Sequence, residues 1–367
     1  MKEWFRGLDW VLLTQVFSLS IIGLFIIYSS IYMTSHPSDL YMRQFFWLFV
    51  SIICMAVCFK IDYHLWVEAA TYIYWTSIFF LLVVLAIGNS ANGARRWIRI
   101  GPISFQPTEL AKFALVLMLV KFLSNKKNIL TDIKNYFWIL LIVALPLFLI
   151  IKQPDLGSAL LLIPSMIILI YTGGVPIRRL IWTFLSLLVA SPIIWTFLKE
   201  YQKKRIEFFL NPQSDPLGSG YNIIQSIIAI GSGGITGKGF LKETQNRLSF
   251  IPEHHTDFIF SVIGQEWGFI GTTITIVLYF YIFRQAILIA NRARDNEGSL
   301  LALGFGCMIT IQVLVNLGMT VGLLPVTGLT LPFISYGGSS LVFSSLAIGI
   351  LLNISYANRR SAIISLK

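Results

Sequence analysis

The residues with the strongest chemical character lie in one run, FIPEHHTDFIFSVIGQEWG, where Glu253, His254, His255, Thr256, Asp257 and then Glu266 crowd the start of an apolar segment. Three kinds of chemistry suit that pattern. Thr256 and Asp257 are helix N-cap types whose side-chain oxygens accept backbone amides. Glu253 and the adjacent histidines offer zinc ligands, although neighbouring histidines lack the i, i+4 spacing that puts two imidazoles on one helix face. Asp257 can also act as a general base, since a carboxylate partly withdrawn from water holds a proton more readily and nearby cations set the balance. All three readings stand at this point.

Cations that could work with such a base are spread along the chain. Arg95, Arg96 and Arg99 fall together in the loop NGARRWIRIG, Arg43 enters an apolar run, and Lys204, Arg205 and Lys238 lie in the long stretch ahead of Asp257. A guanidinium is a planar fork of donors that matches phosphate oxygens, so an anionic lipid headgroup or a diphosphate is its natural partner; headgroup anchoring beside Trp97 is the plain alternative. Glu109 and Lys112, in QPTELAKFALVL, share a helix face at i, i+3. Either charge alone costs about 2.5 to 3.5 kcal/mol at the centre of a membrane helix, so the pair neutralises itself or borders a polar cavity. The glycine-rich GSGGITGKG is not a phosphate loop. Counting back from Lys238, Ser232 stands where the first glycine is required, and Gly239 replaces the hydroxyl that binds magnesium. A turn whose amides approach a ligand stays open as a role.

The elements that must position these groups are membrane helices. Of 367 residues, 56% are hydrophobic and 12% charged, a mixture suited to lipid as solvent. Apolar runs of roughly the 20 residues needed for a span recur, without the period-two pattern of barrel strands. Spans are expected near 10–31, 44–59, 70–88, 107–123, 136–151, 157–171, 180–198, 258–283, 301–324 and 338–356: an all-α, polytopic membrane protein of about ten helices, one domain over 1–367. The first run, from Trp10 to Tyr28, is too long for a signal peptide and reads as an uncleaved span. Lys126, Lys127, Lys134, Arg178, Arg179, Arg284, Arg292, Arg294, Arg359 and Arg360 fall in connections of one parity, which places those connections and both termini in the cytoplasm. The long stretch from Lys199 to His255, between spans 7 and 8, is then extracytoplasmic, and YNIIQSIIAIG within it is too short to span and reads as re-entrant. The net charge of +11 sits between apolar runs, where it faces membrane lipids rather than nucleic acid. Cys54, Cys58 and Cys307 all lie in apolar segments and form no disulfide framework.

Several long motifs occur in order: ARRWI at 94–98, QPTELAK at 106–112, QPDLGSA at 153–159, GSGYNIIQSIIAIGSGG at 218–234, PEHHTDFIF at 252–260 and PVTGLTLPFISYGGSS at 325–340. Together they identify the chain as resembling the SEDS family (shape, elongation, division and sporulation) over nearly its whole length. The TQNRLSFIPE stretch is closer to the elongation members than to the division members. The resemblance implies a peptidoglycan glycosyltransferase that polymerises lipid II on the outer face of the bacterial cytoplasmic membrane, alongside a class B penicillin-binding protein and other elongation machinery. It assigns the family aspartate to Asp257 and the family's intramembrane pair to Glu109 and Lys112. Gln265 with Glu266 stands where many members carry two acids.

The residue chemistry fits that reaction separately. Transfer from an α-linked sugar diphosphate with inversion needs one base on the acceptor hydroxyl and positive charge on the leaving group. Asp257 is the candidate base. Arg43, Arg95, Arg96, Lys204, Arg205 and Lys238 are candidates for the diphosphate, with Glu253, His255 and Thr256 beside the substrate. No cofactor is required, and a divalent cation, Mg2+ or Mn2+, is compatible with the leaving group. Two other classes share the architecture: a lipid-linked precursor flippase, and a scaffold that activates its penicillin-binding partner.

Overall fold

The computed structural model describes residues 8–32, 37–91, 94–100, 103–124, 132–197, 203, 219–242 and 256–364. In chain order its main elements are α1 (Trp10–Ile31), α2 (Pro37–Lys60), α3 (Tyr63–Ile87), β1 (Asn89–Ala91), β2 (Ala94–Ile100), β3 (Ile103–Phe105), α4 (Pro107–Ser124), α5 (Ile133–Lys152), α6 (Leu156–Thr172), α7 (Ile177–Phe197), α8 (Ser219–Ser232), α9 (Ile259–Asn291), α10 (Asn296–Thr320) and α11 (Gly338–Ile364). Aspartates start many of them: Asp9, Asp62, Asp132, Asp155 and Asp295 each accept a backbone amide as the N-cap of α1, α3, α5, α6 and α10. A carboxylate there satisfies an orphan donor and meets the positive end of the helix dipole.

Each of the ten apolar runs read from the sequence lies on a helix. Seven of the described helices are long and apolar enough to cross a membrane by length and composition. The helix α6, with 17 residues, falls short of that length, and α4 carries Glu109, Lys112 and Lys121. Large apolar side chains such as Tyr72, Trp182 and Val189 stand exposed on the helix surfaces, the arrangement lipid tails solvate and water does not.

The centre of the bundle is α10, whose most apolar window is 78% buried. It packs against α4, α6, α8, α9 and α11, while α2 lies along α11 and α3 along α4. Among the seven candidate spans, α10 has the most buried window.

Two features depart from the sequence reading. The segment around NGARRWIRIG is not a loop but part of a three-stranded antiparallel sheet in the order β1-β2-β3. Ser90 pairs with Arg95, and Arg99 with Ser104. The branched and aromatic residues Trp97, Ile98, Ile100, Ile103 and Phe105 favour strands, but the surrounding apolar helices dominate the hydropathy pattern and mask so short a signal. The amide of Gln106 and the carbonyl of Ser104 both bond Ser339 Oγ, fixing the sheet to the start of α11.

The second departure is the glycine-rich segment after α8. The helix α9 is interrupted at Gly268, which has φ 63°, and the chain from Gly234 to Gly239 fills the gap. Lys238 N donates to Gln265 O at 2.9 Å and Gly239 N to Glu266 O at 3.0 Å, while Phe269 N and Ile270 N donate back to Gly234 O and Ile235 O. The helix α8 has 14 residues, too few to span. The amides of Lys238 and Gly239, however, serve the carbonyls of a broken helix, which corrects the suggestion that this turn presents them to a ligand.

Candidate functional site

Asp257 lies in the turn that leads into α9 and is half-buried. The N-cap residue of α9 is Phe258, so neither Thr256 nor Asp257 takes the capping position that their residue types suggested. Their backbone carbonyls are held from the side instead. Ser335 Oγ donates to Thr256 O at 2.6 Å, and Asn316 Nδ2 donates to Asp257 O at 2.9 Å.

The carboxylate faces Gly328. A Cβ placed on this glycine would stand 3.4 Å from Asp257 Oδ2 and 3.8 Å from Arg96 Nη1, and its φ of 71° is one that residues with side chains rarely adopt. Arg96, on β2, reaches the same place from the other direction. Its Nη2 donates to Pro154 O, and its Nη1 lies 3.6 Å from Asp155 Oδ1, with the two side chains 14% and 3% exposed. Asp155 is also the N-cap of α6 and accepts from Ser158 N and Ser158 Oγ. Arg96 Nε is buried without a hydrogen-bond partner. ARRWI, QPDLGSA, HTDF and VTGLT thus meet around one glycine.

Arg43, on α2, is brought to the edge of this region. Burial pushes the Tyr336 phenol up, and the hydrogen-bonded Arg43 guanidinium pulls it partly back; Tyr336 adjoins the Ser335 that holds Thr256. For Arg95 only the backbone is described, in its pairing with Ser90. Lys204, Arg205, Glu253 and His255, as well as His254, lie outside the described residues. Lys238 is set at the break in α9 next to Gln265, about 12 Å along the helix from Asp257 at 1.5 Å per residue. Among the described cations, Arg96 approaches the same point as Asp257, and the backbone of Lys238 is tied to Gln265.

Glu109 and Lys112 form the expected pair, with Lys112 Nζ 2.7 Å from Glu109 Oε1. Lys112 also donates to Gln312 Oε1 at 3.2 Å, and Gln312 Nε2 donates in turn to Thr330 O at 2.9 Å. The pair is thus connected to the segment that carries Gly328. Asp155, Gln312, Asn316, Gly328 and Ser335 were not singled out as site residues from the sequence. Two amides at i, i+4 in the apolar run IQVLVNLGM were the available signal, because polar groups in a membrane helix need a partner.

Among the described residues no three histidine, cysteine or acidic side chains gather closely enough to hold a metal, and Asp155 is engaged by Arg96 and Ser158.

The family profile for cell cycle proteins that groups FtsW, RodA and SpoVE matches residues 9–360. The chain belongs to this family. FtsW/RodA/SpoVE membership agrees with the resemblance carried by the motifs. The chain is 40% identical over 307 residues to the peptidoglycan glycosyltransferase MrdB of Escherichia coli K12, covering 83% of this chain and 82% of that protein. Its fold is similar to a chain from a solved structure described as structural coordination of polymerization and crosslinking by a peptidoglycan synthase complex, with TM-score 0.81 and 34% identity over 96% of this chain and 98% of the other. It is also similar to the rod shape determining protein RodA of Thermus thermophilus, with TM-score 0.72 and 29% identity over 95% of this chain and 96% of that one.

Proposed function

We propose that this FtsW/RodA/SpoVE member is a peptidoglycan glycosyltransferase that joins lipid II units into glycan strands for cell-wall elongation, with Asp257 as the base. The observation that carries this reading is the convergence of the Asp257 carboxylate and the Arg96 guanidinium on Gly328. A base and an anion-binding group that both approach the space beside Gly328 are what an inverting transfer from a sugar diphosphate needs.

Asp257 takes the proton of the acceptor sugar hydroxyl as that oxygen attacks the anomeric carbon of the donor. The bond from that carbon to the diphosphate breaks, and the configuration inverts. Charge growing on the diphosphate is met by Arg96, whose Nε is buried without a hydrogen-bond partner. Arg43, Arg95, Lys204 and Arg205 are further candidates for the diphosphate. A diphosphate departs without protonation, so one carboxylate suffices, unlike the two of glycoside hydrolysis. Asp155 keeps Arg96 aimed into the space, and apolar helix surfaces hold the polyprenyl tails. The charge pattern supports a cytoplasmic location for both termini and an outer location for the site. A class B penicillin-binding protein is the proposed partner, and the TQNRLSF segment together with the RodA-like fold supports elongation as the setting.

Reconstituted protein with that partner, supplied with labelled lipid II, is the test. Native chain forms glycan strands, and Asp257→Asn and Asp257→Ala lose at least about 100-fold, the usual contribution of a general base. Undiminished strands from Asp257→Asn remove Asp257 as the base. A lipid II flippase draws on one specific observation, the helix break at Gly268 beside the buried Glu266, since transporters use discontinuous helices. Translocation of lipid II across vesicles by native chain that makes no strands would favour it.

A further inference from the structure

We propose that Asn316 is a positioning residue for Asp257: from the centre of α10 it clamps the backbone of Asp257 to the Gly328 segment and so aims the carboxylate. The proposal rests on Asp257 being the base.

Asn316 is fully buried in α10, where an amide with nothing to bond is costly. Its Nδ2 carries two hydrogens, and the structure gives each a carbonyl: Leu329 O at 2.6 Å and Asp257 O at 2.9 Å. One side chain therefore joins the entry of α9 to the residue after Gly328. One turn earlier Gln312 repeats the device, donating to Thr330 O and accepting from Lys112. Ser335 completes it, donating to Thr256 O while accepting from Leu331 N at 2.8 Å. The carbonyls of 256, 257, 329 and 330 are all taken by side chains, and Gly328, which both Asp257 Oδ2 and Arg96 Nη1 approach, adjoins this clamp. Backbone lies beside both the base and the guanidinium at Gly328, and among the described side chains Asn316 and Ser335 each bond both the 256–257 turn and the 329–331 segment, Asn316 being the one that holds Asp257 itself.

Asn316→Leu keeps the number and branching of side-chain heavy atoms, though its methyls are bulkier, and removes both donors; the smaller Asn316→Ser keeps one hydroxyl donor and controls for the added bulk. Each is compared with native protein in lipid II polymerisation per folded molecule, in KM, and in the pH dependence of turnover. The expected result for Asn316→Leu is a loss of about 10- to 100-fold in turnover, as for misplacement of a reacting group by about 1 Å. KM stays within about twofold, since ground-state binding is untouched. The acid limb of the pH profile moves about half a unit or more to higher pH, because the carboxylate drifts from its cation. Asn316→Ser falls between the two. A folded variant with native turnover, a loss that appears only in KM, or a loss with the acid limb in place overturns the proposal, as does failure of both variants to fold. If Asp257→Asn is active the base reading itself has failed; if Asp257→Asn is inactive and the limb stays put in Asn316→Leu, only the positioning role has.

Discussion

Lys112 shows how much of a buried charge can be read from a single stretch of chain. Its i, i+3 relation to Glu109 is a local property of a helix, and the pair forms as that spacing requires. Its second partner, Gln312, is 200 residues away and belongs to a different helix. The ammonium is 1% exposed, so Lys112→Ala leaves Glu109 as an uncompensated buried charge, a change that costs about 3 to 5 kcal/mol. The double change Glu109→Ala with Lys112→Ala removes both charges and costs less. Thermal unfolding in detergent should rank native above the double variant and the double variant above Lys112→Ala. Equal loss in both single variants and the double would point to direct contact with a ligand. Arg96 followed the same course: its candidacy came from residue type, but Asp155 and the shared approach to Gly328 came from folding.

Among the elements, α9 departs most from what its sequence suggests. An apolar run of this length reads as one continuous helix, and glycine within it is only mildly unfavourable by propensity. The break at Gly268 exists because another segment supplies the missing partners, and neither segment signals this alone. A Cβ on Gly268 would stand 2.3 Å from Gly237 N and 2.7 Å from Ile235 O, both backbone atoms, whereas one on Gly234 meets nothing within 4 Å. Both glycines have positive φ. Gly234→Ala should therefore cost only the conformational penalty, about 1 to 2 kcal/mol. Gly268→Ala must also expel the inserted segment, with a larger fall in the thermal midpoint and faster proteolysis between residues 232 and 242. Equal effects would mean that the insertion contributes little to stability. The small sheet is a parallel case: its seven-residue β2 is hidden in a chain whose hydropathy is dominated by helices.

Across the whole molecule, distant ends of the chain are tied together at the face opposite the site. Asp9 accepts from Gln285 Nε2 at 2.6 Å and Ser355 Oγ at 3.1 Å and pairs with Arg359, joining α1, α9 and α11. Nearby in the chain order, His64 bridges Asp62 and Asp295, with both ring nitrogens 2.6 Å from a carboxylate oxygen. Burial raises the Asp62 carboxyl, but the amide and ring of His64, with Arg294, outweigh it and hold it below its usual value. A carboxyl lowered by folding contributes stability above its unfolded value, about 4, and loses it as pH falls through the lower folded value. The Asp62 contribution thus declines in acid, while His64, which burial lowers but the Asp62 and Asp295 carboxylates raise above its usual value, contributes below its unfolded value and loses that contribution as pH rises through the folded one. Thermal midpoints of native protein and Asp62→Asn should converge between about pH 6 and pH 3; curves that stay parallel would show that this bridge is not coupled to folding.

Composition and local spacing were enough to establish a helical membrane protein, the positions of its apolar runs and the Glu109–Lys112 pair, and to single out Asp257 as a candidate. These depend on solvent and on neighbours within a turn or two, which the chain displays directly. Packing alone brought Arg96, Asp155, Asn316 and Gly328 to that aspartate. Such contacts are set by how whole helix faces fit one another, so no single stretch carries the information.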